Sequence, residues 1–209
     1  MLLDKQLHFH AYGLRKDVTI MLVFEPHQSL GIYRDYFPVV WKVFTFRCQG
    51  HPKKTIRYMP RIAFAYAQTD YEGLVKSAAW VEVRGASHNM SEYMGNEEAN
   101  EATRIYCKNG SDKPANLSIG LLKGDSNYQH YEPIGLWTDV ESRSDILAHF
   151  MPKVSAYVTC DYKVNEMLRS QVETKAIWTQ NLNEVDDVTE WKLVEDHTTG
   201  HLSIERTRT

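Results

Sequence analysis

An all-β fold, an antiparallel β-sandwich of roughly ten to thirteen strands with at most one short helix, is what the sequence predicts. Three observations predict it. Apolar residues recur with a period close to two through most of the chain. Clusters of Gly, Pro, Asn and Asp, which favour turns, separate the alternating runs. The 209 residues, 43% of them hydrophobic, suffice for one core, and neither a repeat of fixed period nor a Pro- or Ser-rich linker divides them. A single domain spanning residues 1–209 follows.

The elements come in order along the chain. Near the start, His8 and His10 alternate with Leu7 and Phe9, so in a strand both imidazoles share the polar face. In Asp17 to Glu25, Val18, Ile20, Leu22 and Phe24 fall on one face while Thr19, Met21, Val23 and Glu25 fall on the other, which describes a strand packed fully on one side and partly on the second. Val39 to Arg47 carries apolar bulk on both faces and is expected in the middle of a sheet. In Arg61 to Gln68, Ile62, Phe64 and Tyr66 alternate with Ala63, Ala65 and Ala67, and the alanine face must meet something close, either another backbone or a flat ligand. Further strands are expected at 78–84, 103–108, 116–123, 134–139, 154–161, 175–180, 190–195 and 201–208, with turns at 107–114, 123–127 and 198–200. Only Lys163 to Glu173 departs from the period of two: Val164, Met167, Leu168 and Val172 recur at helical spacing and predict one short helix. Gly85 to Asn100 is polar and acidic and reads as a long loop. So many strands need protected edges, by closure, by charge, or by pairing with a second copy in a homodimer.

Charge and composition exclude several function classes. With 24 Lys+Arg against 27 Asp+Glu the net charge is -3, leaving no basic excess for a nucleic-acid backbone or an anionic membrane. No run approaches the roughly 20 apolar residues that cross a bilayer, and the first ten residues lack the features of a secretory leader, so a cytoplasmic protein is expected. Cys48, Cys107 and Cys160 are odd in number and form no CxxC pair, which argues against a disulfide framework or a zinc ribbon. The sequons at Asn89, Asn109 and Asn116 are read as chance in that compartment.

Little carries chemistry. His8 and His10 present two nitrogens to one metal ion, and Asp196, His197 and His201 are the candidates to complete a site; the plainer reading is two solvated histidines. There is no GxSxG elbow, HExxH, phosphate-binding loop or GxGxxG, and the Asp186-Asp187 and Glu97-Glu98 pairs read as loop charges, so no enzyme is expected. The remaining signal is aromatic: five Trp and twelve Tyr suit the packing of a flat organic ring or a sugar face, although most such residues belong to the core. The ligand candidates alternate with small or polar residues: Phe64 and Tyr66 beside the alanines, Trp80 with Glu82 and Arg84, Trp137 near Asp139, Tyr157 near Asp161, and Trp178 near Gln180.

The segments Pro38-Val-Val-Trp-Lys-Val-Phe44, Val158-Thr-Cys-Asp-Tyr162 and Thr174-Lys-Ala-Ile-Trp-Thr-Gln-Asn-Leu182 resemble the β-rich fruiting-body proteins of mushroom-forming fungi, a group with coloured chromoproteins among its members. The resemblance rests on no catalytic or binding motif. It implies a non-enzymatic pigment carrier whose sandwich pocket shields a small conjugated organic chromophore, with a metal ion as a conceivable aid. In that reading Tyr66, Trp80, Trp137 and Trp178 form the walls, and Arg84, Lys42 or a metal at His8 and His10 supplies a cation for an enolate-like or phenolate-like pigment. The alternative is a carbohydrate-binding lectin using Trp137-Thr-Asp139 and Asn127-Tyr128, and a more distant one a cytolysin, for which a basic membrane face is missing.

Overall fold

A computed structural model describes residues 4–26, 31–83, 103–125, 128–159 and 161–207. Alternation builds fifteen strands among these residues: β1 (Lys5–Ala11), β2 (Val18–Phe24), β3 (Tyr36–Pro38), β4 (Val40–Phe46), β5 (Lys53–Tyr58), β6 (Ile62–Thr69), β7 (Val75–Glu82), β8 (Thr103–Lys108), β9 (Ala115–Lys123), β10 (His130–Val140), β11 (Asp145–Phe150), β12 (Lys153–Val158), β13 (Trp178–Asn181), β14 (Val188–Glu195) and β15 (Leu202–Arg206). They form four sheets, ordered β15-β14-β1-β5, β3-β10-β9-β6-β7, β13-β12-β2-β4 and β11-β8. Every pairing is antiparallel except β1 with β14, which is parallel and matches Gln6 to Val188. The fold is thus all-β and sandwich-like, as alternation predicts, with two more strands than the upper expectation. No helix among the described residues is long and apolar enough to cross a membrane.

One core draws on all four sheets, through Phe9, Leu22, Trp41, Phe64, Ile119 and Phe150 among others. In β2, Ile20, Leu22 and Phe24 enter that core while Met21 and Val23 are buried on the opposite face. Removing such side chains from water supplies about 1.5–3 kcal/mol each.

Two expectations are corrected. Residues 163–173 form no helix; the only helical element described is a 3-10 turn at Leu182–Glu184. The backbone of 165–168 is instead spent between sheets: Val40 N–H donates to the Glu166 carbonyl, Asn165 N–H to Val40, Met167 N–H to Gly73 and Leu168 N–H to Pro38. Asn165, at φ 67°, sits in the left-handed region that a helix cannot accommodate. The second correction is β4, which lies at the edge of its sheet. Trp41, Phe44 and Phe46 enter the main core, Val40 and Val43 pack with Leu168 of the 161–177 strap, and the strap's backbone bonds engage the open edge at Val40.

Other edges carry charge or irregularity. Lys53, Lys54 and Arg57 are exposed on β5, and in β7 the register skips Ala78, a bulge of the kind that blunts an edge.

Candidate functional site

The outer face of the β13-β12-β2-β4 sheet is apolar, and an apolar face needs cover. Met21 and Val23 from β2, Val40 from β4 and Leu168 from the strap form one buried cluster, against which Tyr33, Tyr157, Tyr162 and Val172 pack. The cover is incomplete. Between strap, sheet and the 31–38 segment lies an open cleft of about 360 Å³. Val23, Phe24 and Tyr157 line it from the sheet, Leu168, Gln171 and Val172 from the strap, and Ile32, Tyr33 and Pro38 from the third side. Tyr33 is held by a tight turn in which its own φ is 62° and its N–H donates to the Tyr36 carbonyl.

Polar groups on this wall are few. Glu25, which lines the cleft where β2 ends, accepts a hydrogen bond from the Ser155 hydroxyl and pairs with Lys153 Nζ at 2.7 Å. Burial, followed by the nearby Glu25 charge, pushes the Tyr157 phenol above its ordinary pKa. Burial, followed by Tyr157 and Tyr162, does the same to Tyr33. Tyr33 and Tyr157 therefore stay neutral over the physiological range, and Tyr162 packs against the same cluster.

Tyr157 is the one aromatic singled out from the sequence that lines this cleft. Trp137 is in the core, 7% exposed, with its ring centroid 4.7 Å from that of Tyr36 and 6.4 Å from that of Phe64. Trp178 is equally buried, edge-on to Phe9 and Trp191, and its indole Nε1 finds no hydrogen-bond partner among the described residues. Trp80 stacks on Tyr131, the ring centroids 5.9 Å apart, and Tyr66 is largely exposed with its hydroxyl 3.4 Å from Asn109 Oδ1. Tyr66 pairs with Ala79 in register and Trp80 with Ala65, so the two side chains project from opposite faces of one sheet. Arg84 lies outside the described residues, as do Asn89, Cys160 and the 85–100 loop. The expected aromatic slot therefore does not form from these residues.

The metal site is also not assembled. His8 and His10 do share the polar face of β1, but His8 Nδ1 is 2.8 Å from Thr55 Oγ1 and His10 Nδ1 is 3.7 Å from a Glu190 oxygen. Register places His10 opposite Lys192, so Asp196 lies four positions further on, about 13 Å at strand rise. There Asp196 accepts the N–H groups of Thr198 and Thr199, which hold its carboxyl below the ordinary range. Among the described residues no three His, Cys, Asp or Glu side chains form a metal-binding group. Of the sequons, Asn109 is fully buried and donates to the Lys113, Val140 and Glu141 carbonyls.

One polar cluster escapes alternation arguments altogether. Glu132 on β10 is 7% exposed; its Oε2 accepts from the Trp41 indole at 2.7 Å, and its Oε1 takes Lys42 Nζ at 2.6 Å and Lys123 Nζ at 3.0 Å. Burial works to raise its pKa, but the two ammonium groups outweigh burial and hold the carboxyl below its ordinary range. Burial dominates at Lys42 and lowers its pKa despite the partner. With Trp41 and Lys42 on one sheet and Glu132 on another, the cluster clamps two sheets together, and both carboxylate oxygens are engaged. Compared with known proteins, the chain matches no protein family, no curated protein and no solved structure.

Proposed function

We propose that this protein is a non-enzymatic carrier that holds a small conjugated organic molecule in the cleft between the strap and the β13-β12-β2-β4 sheet. The observation that carries the reading is the cleft itself: about 360 Å³ of space with an apolar lining, two tyrosines and two polar side chains, Glu25 and Gln171. Small-molecule sites have this make-up, with a volume of roughly 300–1,000 Å³, apolar and aromatic walls, and few polar groups to fix orientation. The resemblance to fungal chromoproteins points the same way. Phenols kept neutral by burial would hydrogen-bond a chromophore without altering their own charge. No catalytic constellation accompanies the cleft among the described residues. A glycan-binding alternative is less well supported, because Trp137, its platform, is packed in the core.

The test is an absorption spectrum of the protein purified from its native source, followed by mass spectrometry of what denaturation releases. The expected result is a visible band lost on denaturation, a released small molecule, and a weakened band in Tyr157→Ala. A colourless protein releasing nothing would overturn the proposal.

A further inference from the structure

Resting on the carrier reading, we infer that the molecule the cleft accepts is an organic cation, a compact or flat group with its positive charge on nitrogen. The cleft's described lining carries a single formal charge, and it is the carboxylate of Glu25. No lysine, arginine or histidine is among those lining residues. Lys153, the partner of Glu25, is not among the lining residues, and at Tyr157 its charge acts more weakly than that of Glu25. Each carboxylate oxygen has two lone-pair sites, so the bonds from Ser155 and Lys153 leave Glu25 able to accept further donors.

The tyrosines add to the same preference. Tyr33 and Tyr157 line the cleft, and Tyr162 packs beside them. Aromatic faces attract cations through the ring quadrupole, and rings assembled around a pocket are a recurrent way of recognising quaternary and alkylated ammonium groups. A phenol hydroxyl serves either sign of ligand, since it both donates and accepts. The carboxylate does not: an enolate or carboxylate ligand would sit against Glu25 with no lysine, arginine or histidine among the described lining residues, and Lys153 offsets the Glu25 charge only in part, so like-charge repulsion in a partly buried site disfavours it. The sign of the ligand is thus opposite to that of the phenolate-like pigment the sequence suggests.

Two probes of one shape decide the matter on the unaltered chain: choline, and 3,3-dimethylbutan-1-ol, in which carbon replaces the charged nitrogen. Calorimetric titration at low salt should show choline binding about tenfold more tightly than the alcohol, the scale of a desolvated cation–aromatic contact. Glu25→Gln should shrink that ratio. Equal binding of the two probes would overturn the cation preference and leave the carrier reading standing. If neither binds and the native protein releases a neutral or anionic molecule, the cation inference alone falls. If neither binds and nothing is released, both fall. Because the probe pair is compared on the native sequence, the outcome does not depend on whether a variant folds.

Discussion

On the outer face of the five-stranded sheet, Ala63 and Ala65 lie beside Ser118 and Gly120, and the Tyr131 ring rests so close over Gly120 that an added Cβ would come within 2.5 Å of it. Trp80 stacks on Tyr131, and the Tyr131 hydroxyl meets Ser118 Oγ at 2.9 Å. On the outer face of the β13-β12-β2-β4 sheet, Val23, Val40 and Tyr157 stand where the other face has alanine and glycine, and the cover is a strap from elsewhere in the chain. Small residues let a ring from an adjacent strand lie against the backbone, so the first face fills itself. Bulky residues hold their cover away, and the second face keeps a cleft. The difference teaches that the open cleft arises where a borrowed cover fits imperfectly, while the alanine stripe, which suits a flat guest on sequence grounds, is occupied by the protein's own tyrosine.

The comparison can be broken or sharpened by substitution. The largest effect is expected at the clamp that both faces depend on. Glu132→Ala, which strands two partly buried ammonium groups, should cost about 3–4 kcal/mol in urea unfolding and weaken both faces alike. Its acid dependence has a definite sign: Glu132 titrates below its reference value of 4.5 in the folded protein. The stability difference between the native sequence and Glu132→Gln should therefore be constant above that value and shrink as pH falls through the folded pKa. Leu168→Ala, at a strap residue 2% exposed against the sheet, should cost about 2–3 kcal/mol. Its amide-exchange signature should separate the faces, with Met167 and Leu168 losing protection and β6 and β9 keeping theirs; uniform loss would mean that the strap is not a separate cover. Gly120→Ala, whose Cβ would meet both the Tyr131 ring and the Glu132 carbonyl at 2.5 Å, should cost about 2 kcal/mol, and an unchanged unfolding midpoint would show that the trough has slack. Tyr131→Phe, which removes only the hydroxyl bond to Ser118, should cost about 1 kcal/mol.

Much of this was legible in the residues. The inward set of β2 and the two-sided character of Val18 to Glu25 follow from alternation alone, because a period of two assigns faces without knowledge of neighbours. That Ala63 and Ala65 must meet something close also follows, but not what they meet, since Tyr131 lies more than 60 positions away in sequence and only strand order brings it there. Residues 163–173 show why spacing misleads for short segments: Leu168 is buried and Met167 partly buried because each faces a different sheet, which mimics one helical stripe. Trp137 and Trp178 look like Tyr157 in the sequence, each aromatic near a polar neighbour; Trp178 pairs with Ala156 and so takes the core side of the cleft's sheet, and Trp137 stands on a different sheet. Glu132 gave no signal, because a carboxylate in an otherwise apolar strand reads as an edge or a turn until the lysines from β4 and β9 are seen around it.

The parallel ladder of β1 with β14 bears on how the chain is made. Lys5 reaches the Val185 carbonyl across 180 positions of sequence, so a ribosome adds all of the intervening residues before that contact exists. Until then β1 has only β5 beside it, and the Leu7 and Phe9 side chains await half of their enclosure. Loop closure over such a span is slow. Through that interval the nascent chain carries an open strand edge at β1, the kind of exposed segment on which chaperones act and from which co-translational aggregation starts.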